Sequence, residues 1–570
     1  MNITDKEIED ILRDNEVFKL NRKLLQSENL EYRNIENGYI GQISIGEALF
    51  EIVIGFDKVF PYSVPKIFLI REKNNTLPHI EPDGFVCYIQ QEVVVDYFRP
   101  KEIIEDALQI VINTIKKGLK SENKDDLIEE FEDYWSRNKK CADENFFSCF
   151  TPPNVVSKLY TTHNHLNKKR ITLFGTSDDL RHLNNELLAL KKSNATVKPV
   201  IYIPISNGEN LMPLSYDEFW TLQELKNIIW SNIDEVEKVK LDETLVGWEK
   251  NKIQYILLGI KSPIGVKLVG IECTNLNSLR DHPLNSEINS VKLSPFHIHR
   301  YDESIIKARG TTSNEFSKVL MLGCGSLGSR IASEIMQLGV SELHLVDDDT
   351  LMLENIYRHQ LDKNSVGLNK ANAMSRYLSQ RFPFEKFISF DKKIEELVLS
   401  KKVDLSVYDL ILNATGSPNS SFFLNQYLKD NKIKTPVIYS WNEPFGIGGH
   451  NLLIGDQNES CYRCLYEPGG VTNRASFCEP GQKMLRKVAG CSSGFVPFSN
   501  LDCLSTCLGC IDLMRSNLKT NKIKSWKSDG KSFFSEGLIA TPRFELTQSL
   551  LDENLKFNKN KSCKICNEII

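Results

Sequence analysis

Between Tyr39 and Ile54 apolar and polar side chains alternate, which predicts antiparallel strands with one buried face, and Phe60-Pro61-Tyr-Ser-Val-Pro65-Lys-Ile-Phe then predicts a proline-bounded strand. After Phe98-Arg-Pro100 the period lengthens to that of an amphipathic helix, running through Ile115. The charged stretch Lys117 to Lys140 predicts a solvated helix. From 150 to 295 strand and helix patterns alternate: Arg170-Ile-Thr-Leu-Phe-Gly, then a helix over Asp178 to Lys191, then Val200-Ile-Tyr-Ile and Ile253-Gln-Tyr-Ile-Leu-Leu-Gly-Ile. That region has core positions but no catalytic constellation, so spacing or partner binding is its expected role. Further on, Val319-Leu-Met-Leu and Glu342 to Val346 predict two short buried strands, and the apolar run Cys503 to Met514 predicts a buried helix. Lys519 to Lys531 is polar and basic and predicts a loop or short crossover.

These changes of pattern divide the chain into an α+β segment over 1–145, an α/β linker segment over 150–295 and a Rossmann-like α/β segment over 296–570. At about 100–200 residues per domain, a 570-residue chain has room for all three. No run of about 18 apolar residues occurs, so no membrane span is expected. The formal charge of −5 supplies no basic field for nucleic acid. No secretory leader is read at the start, and a cytoplasmic location is expected.

The strand at Val319 runs directly into Gly323-Cys-Gly325-Ser-Leu-Gly328 and a helix. Glycines at this spacing allow a tight turn and close approach to a phosphate, and the helix N-terminus favours the negative charge. About 20 residues on, the second strand ends in Asp347-Asp348-Asp349, where a carboxylate can hold a ribose hydroxyl. A nicotinamide enzyme could share those features. Asn355, Arg358 and Lys370, placed just beyond, suit a nucleoside triphosphate better, because cations neutralise charge developing on a leaving pyrophosphate.

In these motifs the chain from about Arg300 onward resembles the ThiF-type adenylating enzymes of the ubiquitin-activating family, which includes the activators of sulfur-carrier proteins. The resemblance implies ATP as cosubstrate, with Gly323, Gly325 and Gly328 at the phosphates, Asp347 at the ribose, and Asn355, Arg358 and Lys370 on the triphosphate. One position departs. Where family members have Asp-Cys-Thr-Asp to help hold Mg2+, this chain has Asn413-Ala-Thr-Gly416, leaving Asp348 or Asp349 as candidate ligands.

Nine of the 14 cysteines lie at or after Cys461. In a reducing compartment such cysteines serve metal sites rather than disulfides. Cys461-Tyr-Arg-Cys464 and Cys563-Lys-Ile-Cys566 are two Cys-x-x-Cys knuckles able to form one closed, structural Zn2+ site. Cys507-Leu-Gly-Cys510 has the same spacing but sits in the apolar helix, where cysteine acts as a small hydrophobe. The family also pairs a mid-domain knuckle with a terminal one. Cys491, close to Arg486 and Lys487, has a setting that favours thiolate and is similar to the cysteine that captures the protein substrate as a thioester; Cys478, beside Glu479, is its rival.

The N-terminal segment resembles a ubiquitin-conjugating domain. There a Tyr-Pro-x-x-Pro-Pro strand is followed by His-Pro-Asn, a glycine and the catalytic cysteine; here the positions read Phe60-Pro61, Leu77-Pro78-His79, Gly84 and Cys87. By that resemblance Cys87 is the nucleophile, and His79 stands in for the asparagine that steadies the oxyanion. A conjugating-like fold that only docks partners is the alternative.

The combination is similar to the bacterial fusions of activating and conjugating domains found in anti-phage CBASS operons. It implies adenylation of the C-terminal glycine of a protein, capture on Cys491, transfer to Cys87 and then to an amine. It further implies a cGAS-like nucleotidyltransferase as the conjugated protein and a homodimer in which Arg300 or Arg309 reaches the partner's ATP. A sulfur-carrier adenylyltransferase with an idle N-terminal docking module is the rival function.

Overall fold

The computed structural model describes residues 3–26, 32–33, 35–70, 77–81, 83–89, 93–138, 140–166, 169–180, 198–206, 219–248, 253–263, 265–276, 282–285, 291–310, 316–467, 473–487, 494–547 and 553–567. They form two compact units, Met1–Asp302 and Glu303–Ile570.

The first unit begins with α1 (Asp5–Arg13), started by a Thr4/Glu7 capping box. Strands β1 (Phe18–Lys23), β2 (Asn37–Ile45), β3 (Ala48–Phe56) and β4 (Lys66–Ile70) form an antiparallel meander in sequence order. Tyr39, Ile43, Ile52 and Ile54 share a buried cluster with Ile104, Leu108, Val111 and Ile115 of α2 (Pro100–Leu119), whose spacing keeps one helix face on the sheet. The expected amphipathic helix is therefore present.

The solvated helix expected over 117–140 is not. Its place is taken by the end of α2 and by two short helices, α3 (Lys124–Glu129) and α4 (Phe131–Ser136), with Leu127, Ile128, Phe131, Tyr134 and Trp135 buried. Five apolar residues among many charges were enough to fasten this segment down, since buried area and not overall composition decides burial.

The segment read as an α/β linker is a closed barrel. Strands β5 (Ala142–Ser148), β6 (Ser157–Leu166), β7 (Lys169–Gly175), β8 (Lys198–Ile205), β9 (Gln254–Ser262), β10 (Gly265–Thr274) and β11 (Lys292–Arg300) pair in the order β10-β11-β5-β7-β6-β8-β9, and β9 with β10 closes the ring. Along β8, Val200 and Tyr202 join an aromatic cluster with Phe146, Phe174 and Phe296, while Ile201 and Ile203 pack with α5 (Leu222–Asn232) and α6 (Glu235–Leu245). Burial on both faces gives continuous apolar strands, the pattern that also marks a parallel α/β sheet. Because β5 spans 145 and β11 spans 295, the boundaries expected at 145–150 and 295–296 both cut through barrel strands. Of the helix expected over Asp178 to Lys191, only the residues through Leu180 are described, and these are helical.

The second unit opens with α7 (Glu303–Gly310). Its sheet runs β14 (Lys386–Phe390), β13 (Glu342–Val346), β12 (Lys318–Leu322), β15 (Leu410–Asn413), β16 (Val437–Asn442), β17 (Gly448–Ile454), β20 (Lys522–Lys527), β21 (Glu553–Lys556); a two-residue ribbon, β18 (Arg486–Lys487) with β19 (Gly494–Phe495), stands apart. The first five are parallel and the last three antiparallel. Helices α8 (Ser326–Glu334), α9 (Lys370–Arg381) and α12 (Asn500–Met514) cover one face, and α10 (Ile394–Leu399) and α11 (Pro418–Asp430) the other. This is a doubly wound sheet with its switch point at the carboxyl end of β12. The stretch expected to be a loop at 519–531 contains β20, whose buried Ile523, Ser525 and Trp526 are interspersed with lysines that obscure its pattern.

Candidate functional site

At the switch point the three glycines have separate tasks. Gly323 turns the chain at φ +83°, and a Cβ there would lie 2.8 Å from the Thr415 backbone. Gly328 packs so closely that a Cβ would collide with the Gly323 carbonyl oxygen. Gly325 is the N-cap of α8, and a Cβ there would meet nothing within 4 Å, so the helix terminus opens onto free space.

Asp347, at the end of β13, accepts the Cys324 amide on Oδ2 (2.6 Å) and the Asp349 amide on Oδ1 (2.8 Å). Burial raises its carboxyl above the usual aspartate value, against the lowering effect of those two amides. Asn369 caps α9 and donates Nδ2 to the Asp347 carbonyl (2.8 Å). Lys370 opens α9 and reaches Asp349 at 2.9 Å. Arg358 lies over the Phe498 ring, 4.9 Å from its centroid, and its Nε is buried without a hydrogen-bond partner. Asn355, Arg358 and Lys370 line one cleft of about 1480 Å³ with Asp349, Phe445, Phe498, Asn500 and Asp502. Asp347 is linked to it through the Asp349 amide, and the Gly323-to-Gly328 turn through the Cys324 amide held by Asp347. The cleft thus offers the Arg358 guanidinium and the Lys370 ammonium to an anion.

Sequence reasoning missed His359. Its Nδ1 accepts the Leu361 amide (3.1 Å), which leaves the proton on Nε2 to be donated to the Cys324 carbonyl (2.7 Å) between the first two glycines. Burial lowers this imidazole to about 4, so it stays neutral. A histidine just past a 3-10 turn has no periodic signature, and only the fold brings it to the loop. The Asn413-to-Gly416 turn is closed internally: Asn413 accepts from the Thr415 amide (3.1 Å) and hydroxyl (2.8 Å).

Cys461, Cys464, Cys563 and Cys566 come together with all four sulfurs within 4.8 Å of one another. Cys461–Cys563 and Cys464–Cys566 Sγ separations are 3.8 and 3.6 Å. Zinc–sulfur bonds near 2.3 Å imply tetrahedral edges of about 3.8 Å, so the donor set fits zinc. Cys503, Cys507 and Cys510 lie in the apolar core on α12 instead. Cys478 is buried, its sulfur 3.2 Å from Met484 Sδ, and burial followed by Glu443 pushes its thiol up to about 11. Cys491 lies outside the described residues. Arg300 belongs to the first unit, where it donates to Asp302 (2.8 Å) and the Val266 carbonyl (2.6 Å).

In the conjugating-like fold, Cys87 follows the buried Val86 and is half-buried, its amide donating to the His79 carbonyl (2.8 Å). Burial raises the thiol above its ordinary value; Glu130 and Glu81 add to the effect, and Arg137 and Arg33 oppose it. The imidazole of His79 does not serve as a free oxyanion donor here. Its Nδ1 is 2.8 Å from Glu130 and its Nε2 2.9 Å from Asp126, so both ring nitrogens are already paired. The asparagine's position is filled by a residue whose side chain is engaged by carboxylates that the motif does not contain.

Among the described residues no helix is long and apolar enough to cross a membrane. Residues 301–533 match the ThiF family and residues 19–143 match Prokaryotic E2 family B. The chain is similar to the ATP-dependent ubiquitin transferase-like protein Cap2 of Escherichia coli, at 22% identity covering 97% of each chain, and to that of Pseudomonas aeruginosa, at 23% over 77% of this chain and 79% of the other. Its likeness to the adenylyltransferase and sulfurtransferase UBA4 of Lodderomyces elongisporus, at 26% identity, covers 36% of this chain and 47% of that one. With these two matches on one polypeptide, the chain is a fusion of a prokaryotic E2 family B domain with a ThiF-family domain, an enzyme of the combined activating and conjugating kind.

Proposed function

We propose that this enzyme uses ATP to adenylate the C-terminal glycine of a protein, captures the acyl group on Cys491, passes it to Cys87 and delivers it to an amine. The carrying observation is that a cleft lined by Arg358 and Lys370 in a ThiF-family domain occurs on one chain with Cys87 in a domain matching prokaryotic E2 family B. The substrate carboxylate would attack the α-phosphorus of ATP, forming an acyl-adenylate and releasing pyrophosphate, with Arg358 and Lys370 offsetting the charge that develops. The Cys491 thiolate would displace AMP, the Cys87 thiolate would displace Cys491, and an amine would displace Cys87, losing its proton as the amide forms. Asp348 and Asp349, whose carboxylates cluster with that of Asp347, would hold Mg2+ against the triphosphate, where the ion neutralises phosphate charge. Cys461, Cys464, Cys563 and Cys566 would hold a structural Zn2+.

The CBASS resemblance supports a role in anti-phage defence with a cGAS-like nucleotidyltransferase as the conjugated protein, and a homodimer. The sulfur-carrier alternative makes Cys87 dispensable, and the relatives of that kind match only about a third of the chain.

The test incubates the full chain with Mg-ATP and host lysate and compares wild type, Cys87→Ser and Cys491→Ser by intact mass and non-reducing electrophoresis. Adducts sensitive to reductant that vanish in Cys491→Ser, and become reductant-stable esters in Cys87→Ser, are expected. ATP conversion to AMP with both variants indistinguishable from wild type would sink the relay in favour of the sulfur-carrier reading.

A further inference from the structure

Helices α3 and α4 form a strap with two unlike faces. One is apolar: Phe131 and Trp135 stack at 5.8 Å within the core beneath α5 and α6, and the Trp135 indole donates to the Phe296 carbonyl of β11 (3.2 Å). The other is polar and meets His79. Glu130 and Asp126 take its two ring nitrogens, and the Tyr134 hydroxyl accepts the His79 amide (2.9 Å) while donating to Glu130 (3.1 Å). The backbone of His79 is at φ 61°, a left-handed conformation that a residue with a Cβ keeps only where its surroundings over-determine it. Here the carbonyl it presents accepts the Cys87 amide.

We propose that Glu130 and Asp126 are positioning residues for Cys87: acting through His79, they fix the carbonyl that anchors the cysteine loop, so that the barrel-anchored strap sets how the acceptor thiol is presented. This rests on Cys87 being an acyl acceptor.

Two features support it. The ring is charged in this setting, because the Glu130 hydrogen bond, against burial and with Asp126 in support, raises it to about 9. The remaining groups around the loop are mutually paired: Glu81 with Arg33 and with Arg137 (3.5 Å), Asp83 with Arg33 (2.7 Å), and Asp133 with Arg137 (3.6 Å). The folded ring is more basic than a free one, so the clamp is complete below about 6.5 and is lost as pH rises through about 9.

The test uses the full chain and Glu130→Gln/Asp126→Asn, with Tyr134→Phe as a milder second variant. Hydrogen exchange over 77–89 is measured first; protection is expected to fall about tenfold in the double variant, the equivalent of one charge-assisted hydrogen bond, while β3 and β4 are unchanged. Cys87 is then acylated with a synthetic thioester of a Gly-Gly-ended peptide. Its transfer to free lysine at pH 7.5 is expected to slow about tenfold although iodoacetamide alkylates the thiol at least as fast as in wild type, because Glu130 is one of the carboxylates that hold the thiol up. The wild-type advantage should disappear as pH passes about 9. Unchanged exchange in both variants, or equal factors on alkylation and transfer, would overturn the positioning role. Loss of protection in a chain whose Cys87 never takes the acyl group would leave the clamp standing and remove the acceptor reading alone.

Discussion

Removing the four-cysteine site should release the end of the chain from the second unit, and the cost follows from topology. Each cross-site sulfur pair joins residues 102 positions apart. In the chain-entropy account, a cross-link closing about 100 residues is worth about 4–5 kcal/mol. The tail has other anchors: Ser460 donates to the Phe557 carbonyl (2.9 Å), Lys429 to that of Ile565 (2.7 Å), and β21 pairs with β20. Cys563→Ser/Cys566→Ser should therefore loosen the tail without unfolding the sheet. At about 2–4 °C per kcal/mol for a unit of this size, the calorimetric transition of the second unit should fall by roughly 8–20 °C, with bound zinc going from one per chain to none. A chelator acting on wild type should reproduce the shift. Cys507→Ala is the control, because that thiol packs in the core; it should keep its zinc while losing some stability. Metal-free wild type, or a variant melting within about 2 °C of it, would refute the cross-link, and loss of zinc in Cys507→Ala would place the metal in the wrong pairs.

Lys370→Ala should reduce ATP–pyrophosphate exchange by about 10²–10³-fold, the usual effect of deleting a donor aimed at transition-state charge, with little change in melting temperature because its Asp349 partner is exposed. Gly328→Ala should abolish ATP binding measured by calorimetry and cost about 1–3 kcal/mol of stability, since the new methyl group collides first with the Gly323 backbone, which cannot swing aside as the nearby Met321 side chain can. His359→Gln bears on pH. Its imidazole is held at about 4, below a free histidine, so its contribution is present above about 6.5 and is lost as pH falls towards 4. Wild type should lose up to about 3 kcal/mol over that interval, and the variant should have a flatter pH–stability curve in urea titrations; equal slopes would count against the neutral His359–Cys324 bond.

Much of the second unit was legible because its chemistry is local. A buried strand, a glycine turn, a helix and a carboxylate at the next strand end occupy Val319 to Asp349, and each has a backbone reason readable from residue type. The grouping of the two outer Cys-x-x-Cys pairs was legible for the same reason: two residues between cysteines is a turn geometry, whereas the same spacing in an apolar 15-residue helix buries the thiols. Where sequence reading failed, periodicity was ambiguous or masked. Apolar strands covered on both sides mean a barrel or a parallel sheet equally well, and lysines every second or third residue hid β20.

The environment of Cys87 illustrates a different limit. The motif reading supplied His79 by position and assigned it the role of the residue it replaces, but what an imidazole does is set by its partners. Those partners are Asp126 and Glu130, 47 and 51 residues away, on helices whose burial depends on Phe131 and Trp135 reaching a separate core. No spacing rule links 79 to 130. A departure from a catalytic motif therefore says that the motif's interaction is missing from its usual atom, and only the fold says what has replaced it. Here the replacement is a pair of carboxylates and a tyrosine hydroxyl holding a strained histidine beneath the Cys87 amide, a contact supplied by backbone where the family motif would lead one to look for a side chain.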